Sequence, residues 1–277
     1  MQLHRFSQVQ PFLDRAEPWL LSAEIENNVV LGVTRGLLSR DHEFKDPIYL
    51  ATVETKGEVS GCAIRTPPFE LALTQMPEAA IPLLLRDLVD VYPSLSGVLG
   101  PELIATRFAK LWTKEFGGTL KLQCQERLYS LERVVHPSSP PPGLFRHATQ
   151  KDLELVMDWN VGFYEDTGIP DRASKHRTAQ LVKDGSLFLW EDGEPRSMAA
   201  KVAESPTGAR IGYVYTPPTF RKCGYASICV AELSQLLLNQ GRNFCCLFAD
   251  LANPTSNSIY ERLGYKPVSD VAYFLFV

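Results

Sequence analysis

Apolar residues recur at three- and four-residue intervals over residues 3–21, at Phe6, Val9, Phe12 or Leu13, and Leu20, and again over 23–38, at Ile25, Val29 and Leu31 or Gly32. That period predicts two amphipathic helices, with Pro11 and Pro18 limiting the first. Residues 48–54 and 59–65 are instead rich in β-branched and aromatic side chains and flank Lys56-Gly57-Glu58, which predicts a hairpin. A third strand over 69–74 follows. The pattern then gives a helix over 77–91 with Pro77 at its start, a short strand at 98–100, a helix over 101–116 and an extended segment or pair of strands over 119–134.

From His136 to Gly143 the chain carries four prolines, a composition that favours an extended spacer over helix or central strand. This places an N-terminal domain at 1–136, a linker at 137–143 and a second domain at 144–277. The second half repeats the order of the first. A strand at 144–148 precedes a helix over 152–164, with Thr149 near its start, and a helix over 172–183. Strands at 186–191, 196–204 and 209–215 are separated by Asp192-Gly193-Glu194 and Pro206-Thr207-Gly208 turns. A helix over 225–239 is ended by Gly241, then come a strand at 243–250, a helix over 254–263 closed by Gly264, and a last pair of strands over 265–277. The fold class this implies is α/β, with a mixed α+β sheet in each half.

Composition changes little in that picture. The 277 residues are 45% hydrophobic and 22% charged, as in soluble globular proteins. A net charge of −4 argues against a general nucleic-acid-binding surface, while leaving room for a local basic patch. The 6 cysteines form no CxxC pair and have no histidine at ligand spacing, so no metal site is expected and buried reduced thiols are. Residues 1–21 carry Arg5, Asp14, Arg15 and Glu17, unlike a secretory leader, and no apolar run reaches membrane-spanning length. The expected location is the cytoplasm, with no membrane partner.

Chemistry concentrates between Val214 and Ala226. A strand ends at Val214-Tyr215-Thr216, a Pro-Pro loop follows, and Arg221-Lys222-Cys223-Gly224-Tyr225-Ala226 leads into a helix. The first amides of a helix lack intrahelical acceptors and lie at the positive end of its dipole, and small residues such as Gly224 and Ala226 let an anion reach them. The same letters also describe an ordinary helix start after a Pro/Gly turn. A second constellation decides between these: Asn253 as an N-cap, Pro254 at the first helical position, and Ser256 and Tyr260 four apart on one helix face.

Together the two segments resemble a known family. Arg221-x-x-Gly224-x-Ala226 is similar to the Q/R-x-x-G-x-G/A loop of the GCN5-related N-acetyltransferase (GNAT) superfamily, and Asn253-x-x-Ser256-x-x-x-Tyr260 with Leu263-Gly264-Tyr265 resembles its second motif. The C-terminal half is most similar to the FR47-like and glycine N-acyltransferase-like branch. The resemblance implies a GNAT fold there and acetyl-coenzyme A as co-substrate, its pyrophosphate on the amides of 221–226. Its pantetheine arm would lie along Val214, Tyr215 and Thr216 with Asn253 in contact. It also implies that strands 209–216 and 243–250 splay apart. A neutral amine would attack the thioester, a backbone N–H near 214–216 would meet the developing oxyanion, and Tyr260 would protonate a thiolate whose acid has a pKa of roughly 8.5. Cys223 needs no nucleophilic role.

No base is evident. Glu165, Asp166 and His176 flank the loop joining the second domain's first helices, yet each reads more simply as a solvated surface group. Lys222 stands where the family has glycine, and Thr216 where it has an apolar residue. The N-terminal half offers Leu73-Thr-Gln-Met-Pro-Glu78-Ala79 at the matching junction, with no glycine and a repelling carboxylate, so it is expected to be a degenerate copy. The expected activity is transfer of an acetyl group to a small-molecule or peptide amine. Acyl transfer to an amino acid such as glycine, and non-catalytic acyl-CoA sensing, are the alternatives.

Overall fold

The computed structural model describes residues 1–38, 47–169 and 174–277. The chain forms two compact units, one of Met1–Arg127 with Ser269–Val277 and the other of Leu128–Val268. The division differs from the one expected at the proline-rich stretch. Residues 137–143 lie inside the second unit, where the Trp190 indole N–H donates to the Pro142 carbonyl (3.0 Å). Proline lacks an N–H but still offers its carbonyl, so a spacer-like composition does not prevent docking.

In the first unit the order is β1 (Gln2–Phe6), α1 (Val9–Leu21), α2 (Asn28–Leu38), β2 (Tyr49–Thr55), β3 (Glu58–Arg65), β4 (Leu71–Leu73), α3 (Ile81–Val89), β5 (Gly97–Pro101) and α4 (Glu102–Phe116). β6 (Leu120–Leu131) leaves it. Strands β1 to β5 pair in sequence order, antiparallel except for the parallel β4–β5 pair. The expected helix from residue 3 is corrected here: Gln2 to Phe6 pair with Glu54 to Leu50, so partner backbone overrides a loose helical period. The helix also runs through Pro18, held by buried Phe12, Leu13, Ala16 and Leu20.

The second unit repeats this with β7 (Leu144–His147), α5 (Leu153–Thr167), α6 (Ser174–Lys183), β8 (Leu187–Asp192), β9 (Glu194–Glu204), β10 (Gly208–Tyr215), α7 (Tyr225–Asn239), β11 (Phe244–Asp250) and α8 (Pro254–Arg262). The expected start of α6 at Arg172 lies outside the described residues. Strands β7 to β10 are antiparallel neighbours, and β10–β11 is the parallel pair. The ends of the chain segments are exchanged. The two strands expected over 265–277 are a single one, β12 (Lys266–Phe276), whose Val271–Leu275 pair with β5 in the first unit. The second unit's sheet has β6 beside β11, and its core takes Tyr129 and Leu131 from that strand.

Thus the mixed α/β expectation holds for both halves, and each half follows the same order of strands and helices. One core of the second unit lies under α7 and α8 and includes Ile211, Ile228, Leu233, Leu247 and Tyr260. Another, with Val156, Trp159, Leu181 and Leu189, lies under α5 and α6.

Candidate functional site

The site begins with a fault in β10. Its register against β9 shifts between Gly212 and Tyr215, and Tyr213 has a φ of +50°. A left-handed non-glycine residue inside a strand is a β-bulge that turns the local backbone. On the other edge, the parallel register to β11 covers only Gly208–Arg210 against Phe244–Cys246, although the two strands continue to Tyr215 and Asp250. Past Arg210 they diverge, leaving a gap beside the backbone of 211–215.

Beyond the gap, Ser197, fully buried, donates to the Tyr215 carbonyl (3.1 Å) and accepts from the Thr216 hydroxyl (2.9 Å). This accounts for threonine at 216, because its hydroxyl has a buried partner. A 3₁₀ turn at Pro218–Phe220 then carries the chain to the loop before α7. Lys222 has φ +65° and Gly224 φ +84°, so two left-handed residues fold the loop back over the helix start. An added Cβ at Gly224 would meet Pro141 Cδ only at 3.5 Å, so backbone conformation and not crowding calls for glycine. Lys222 occupies the same left-handed conformation with a side chain, where glycine would sit without strain.

Gly224 is the N-cap of α7 and brings no side chain to cap it. The first helical amide with an intrahelical acceptor is that of Ile228, onto the Gly224 carbonyl (3.1 Å). The earlier amides are directed outward at the positive end of a 15-residue helix. Arg221 frames this end but is already engaged: its Nε donates to the Thr216 carbonyl (3.0 Å) and its other end pairs with Asp166 on α5. Tyr225 donates to Asp192 Oδ2 (2.7 Å), which raises its pKa and aims its ring. Cys223 is exposed, whereas Cys62, Cys229, Cys245 and Cys246 are buried. Burial pushes the Cys245 thiol up to about 12.

Asn253 caps α8 as its residue type predicts, its Oδ1 accepting from the Ser256 amide (3.1 Å). Asn257, one turn on, was not anticipated. Its Nδ2 donates to the Asp250 and Asn253 carbonyls (2.8 and 2.7 Å), and its Oδ1 accepts from the Tyr129 hydroxyl (2.9 Å). The i to i+4 spacing from Asn253 is the one sequence signal that could have found it. Tyr260 is 7% exposed and packs against the rings of Tyr129 (6.4 Å) and Tyr265 (5.9 Å). Burial alone raises its pKa well above the usual phenol value, so it is protonated at neutral pH.

Of the residues expected to work together, Val214 and Tyr225 pack on the same core that holds Tyr260. Ser256 lies on the face of α8 shared with Tyr260 but is half-buried, and Ala226 sits in the first turn of α7. The three candidate bases are not gathered there: Glu165, Asp166 and His176 are all exposed, and Asp166 is bound to Arg221. Among the described residues no cluster of His, Cys, Asp or Glu could hold a metal ion, and no helix is long and apolar enough to cross a membrane.

Comparison with known proteins bears on the fold. Residues 189–275 match the family model described as FR47-like protein. A Drosophila protein of solved structure superposes with a TM-score of 0.71 at 15% identity, covering 99% of this chain and 98% of that one. An acetyltransferase of the GNAT family from Colwellia psychrerythraea covers 100% of both chains with a TM-score of 0.57 at 12% identity. A tandem GNAT protein from the clavulanic acid biosynthesis pathway covers 100% of this chain and 98% of its own, with a TM-score of 0.52 at 11% identity. At such identities the likeness carries the fold. No curated protein matches the sequence.

Proposed function

We propose, for a chain with the GCN5-related N-acetyltransferase fold and an FR47-like C-terminal segment, that its second unit is an acyl-CoA-dependent N-acyltransferase acting on a primary amine, with acetyl-CoA as donor. The observation that carries this reading is the combination in one unit of a strand pair that parts beyond Arg210 with a helix start left open by left-handed Lys222 and Gly224. A gap of that kind admits a thin arm between strands, and an uncapped helix start takes the phosphates at the arm's other end.

The residues present fit that donor. The amides of 223–226 and the Lys222 ammonium would hold the pyrophosphate, and the unpaired edge of 211–215 would offer backbone hydrogen bonds to the amide groups of the arm. Asn253 keeps its Nδ2 available while Oδ1 caps α8. The donor supplies an activated carbonyl and a thiolate leaving group, so no covalent enzyme intermediate is needed.

Attack by the amine nitrogen forms a C–N bond, the C–S bond breaks with its electron pair on sulfur, and one proton must leave nitrogen as another reaches sulfur. The bulge between Gly212 and Tyr215 takes the Val214 backbone out of the β9 register, where its amide can meet the oxyanion. Tyr260 is the acid: it is neutral at working pH, and in the apolar surroundings that raise its own pKa a thiolate is likewise destabilised. Solvent takes the amine's proton, since the carboxylates at the end of α5 are exposed.

The test is thiol release from acetyl-CoA with an amine panel, alongside calorimetric binding of CoA. The reading predicts binding, turnover for at least one amine, and loss of turnover in Tyr260→Phe with binding kept. Binding without turnover above Tyr260→Phe for any amine would establish the acyl-CoA sensor instead.

A further inference from the structure

α5 and β10 meet through aromatic rings. Phe163 lies 5.5 Å from both Tyr164 and Tyr213, Tyr164 and Tyr213 are 6.2 Å apart, and their hydroxyls share a hydrogen bond at 3.1 Å. Trp159 lies 6.3 Å from Tyr215, whose hydroxyl is where a Cβ on Gly162 would stand, 2.3 Å away. Glycine at 162 therefore lets Tyr215 lie across the helix. Phe163, Tyr164, Tyr213 and Tyr215 are only half-buried, unlike core aromatics of this chain such as Tyr49 or Phe108.

This wall adjoins the reacting end of the proposed site, because Tyr213 is the bulge residue and Tyr215 ends the strand beside the gap. Of the charges beside it, Glu165 is exposed on α5, whereas Asp166 and Arg221 neutralise each other and Arg177 donates to the Val202 carbonyl. Ring faces attract cations and stack flat apolar bodies. An ammonium therefore finds ring faces and the Glu165 carboxylate, and a flat ring finds stacking partners, a lining that does not favour a second carboxylate.

We infer that the wall of Phe163, Tyr164, Tyr213 and Tyr215 selects an arylalkylamine, a primary amine joined by a short alkyl arm to an aromatic ring, over an amino acid such as glycine. This deepens the acyltransferase reading and rests on it. The ring stacks against Phe163 and Tyr164, and the amine reaches past Tyr213 toward the strand gap.

The experiment uses the intact chain with acetyl-CoA and three acceptors: 2-phenylethylamine, hexylamine and glycine. Expected is a kcat/KM for 2-phenylethylamine about tenfold or more above glycine. Tyr164→Leu should raise the KM for 2-phenylethylamine about tenfold, with kcat less affected and CoA affinity unchanged. Because Phe163→Ala touches more of the packing, Tyr164→Leu carries the test and its fold is checked by circular dichroism. Calorimetry of 2-phenylethylamine without donor should show binding that the variant loses. Equal or better use of glycine, or an unchanged KM in the variant, overturns the inference. If hexylamine reacts and 2-phenylethylamine does not, the inference falls and the acyltransferase stands; if acetyl-CoA does not bind, both fall.

Discussion

The two units have the same order of strands and helices, so the places where they part show what the proposed donor site requires beyond a fold. In the second unit, β10 and β11 pair at Gly208–Arg210 and then separate for the rest of their length. In the first, β4 is only Leu71–Leu73, and a Cβ on Gly100 of β5 would strike the Leu73 carbonyl at 2.7 Å, so the matching strands stay closed to their ends. The helix starts differ in the same sense. α7 opens on left-handed Gly224, whereas α3 is preceded by extended Pro77 and a 3₁₀ turn containing Glu78, and begins with Ile81-Pro82. Tyr260 is the seventh residue of α8, and the seventh of α4 is Phe108, fully buried and without a hydroxyl. One architecture is kept while the parted strands, the left-handed helix start and the helix tyrosine, on which the proposed donor site rests, are all lacking from the first unit. Packing selects for the scaffold, and separate local features select for chemistry.

The sharpest way to break this contrast is at the helix residue. Tyr260→Phe is expected to lower kcat by about 10²–10⁴-fold with donor affinity unchanged. Phe108→Tyr should leave kcat where it is; a rate gain would mean that the first unit keeps a working site. Both are read by thiol release at saturating acetyl-CoA.

Next in size is the cradle. Gly224→Asp should weaken CoA binding by about 100-fold in calorimetry while the fold persists, since Asp tolerates a left-handed φ better than most residues and the damage is charge repulsion. Glu78→Gly in the first unit should create no second CoA site, because β4 and β5 remain closed there. A stoichiometry above one would refute that.

A smaller effect separates how each unit ties its first helix to its sheet. In the second unit Arg146 on β7 grips Asp152 at 2.8 Å through each of two nitrogens and Glu191 through Nε, holding Asp152 at a pKa of about 2. In the first, Arg15 on α1 grips Glu54 on β2, also through two bonds of 2.8 Å, and lowers its pKa. A carboxylate whose folded pKa lies below its unfolded value adds stability above the unfolded value and loses it as pH falls through the folded one. Asp152 should therefore add to stability above about pH 4 and lose that contribution toward about pH 2. Urea midpoints followed through that range should show the slope flattened in Arg146→Met, which removes the cause of the Asp152 depression, and retained in Arg15→Met, which leaves that pair intact.

The smallest effect concerns thiols. Cys223 is exposed in the loop before α7, while the first unit's Cys62 is fully buried with its pKa raised. A thiol reagent should label Cys223 first, and saturating CoA should slow that labelling. Equal rates with and without CoA would move the phosphates away from this loop.

Much of this was legible from residue types. Gly224, Asn253 and Pro254 mark helix starts by backbone chemistry that needs no partner, and the helix over 225–239 begins and ends where its letters place it. Local signals failed where distant backbone decides. Residues 2–6 become a strand only because β2 lies beside them, and the left-handed turn at Tyr213 has no glycine to announce it. Arg221 was legible as a cation but not as one already bound to Asp166, and Ser197 under Thr216 was invisible, because both pairings join residues far apart in sequence. The aromatic wall shares that origin: its letters are scattered over 159–164 and 213–215, and only the α5–β10 packing assembles them.

The exchange of strand ends bears on how this chain is made. The first unit takes its closing strand from residues 269–277, so during synthesis its other residues must wait while the whole of Leu128–Val268 emerges. Until then β5 has an open edge, the kind of surface that invites pairing with other chains. A premature stop just before Ser269 would therefore injure the unit of residues 1–127, and a late frameshift would harm a part of the chain translated well before it.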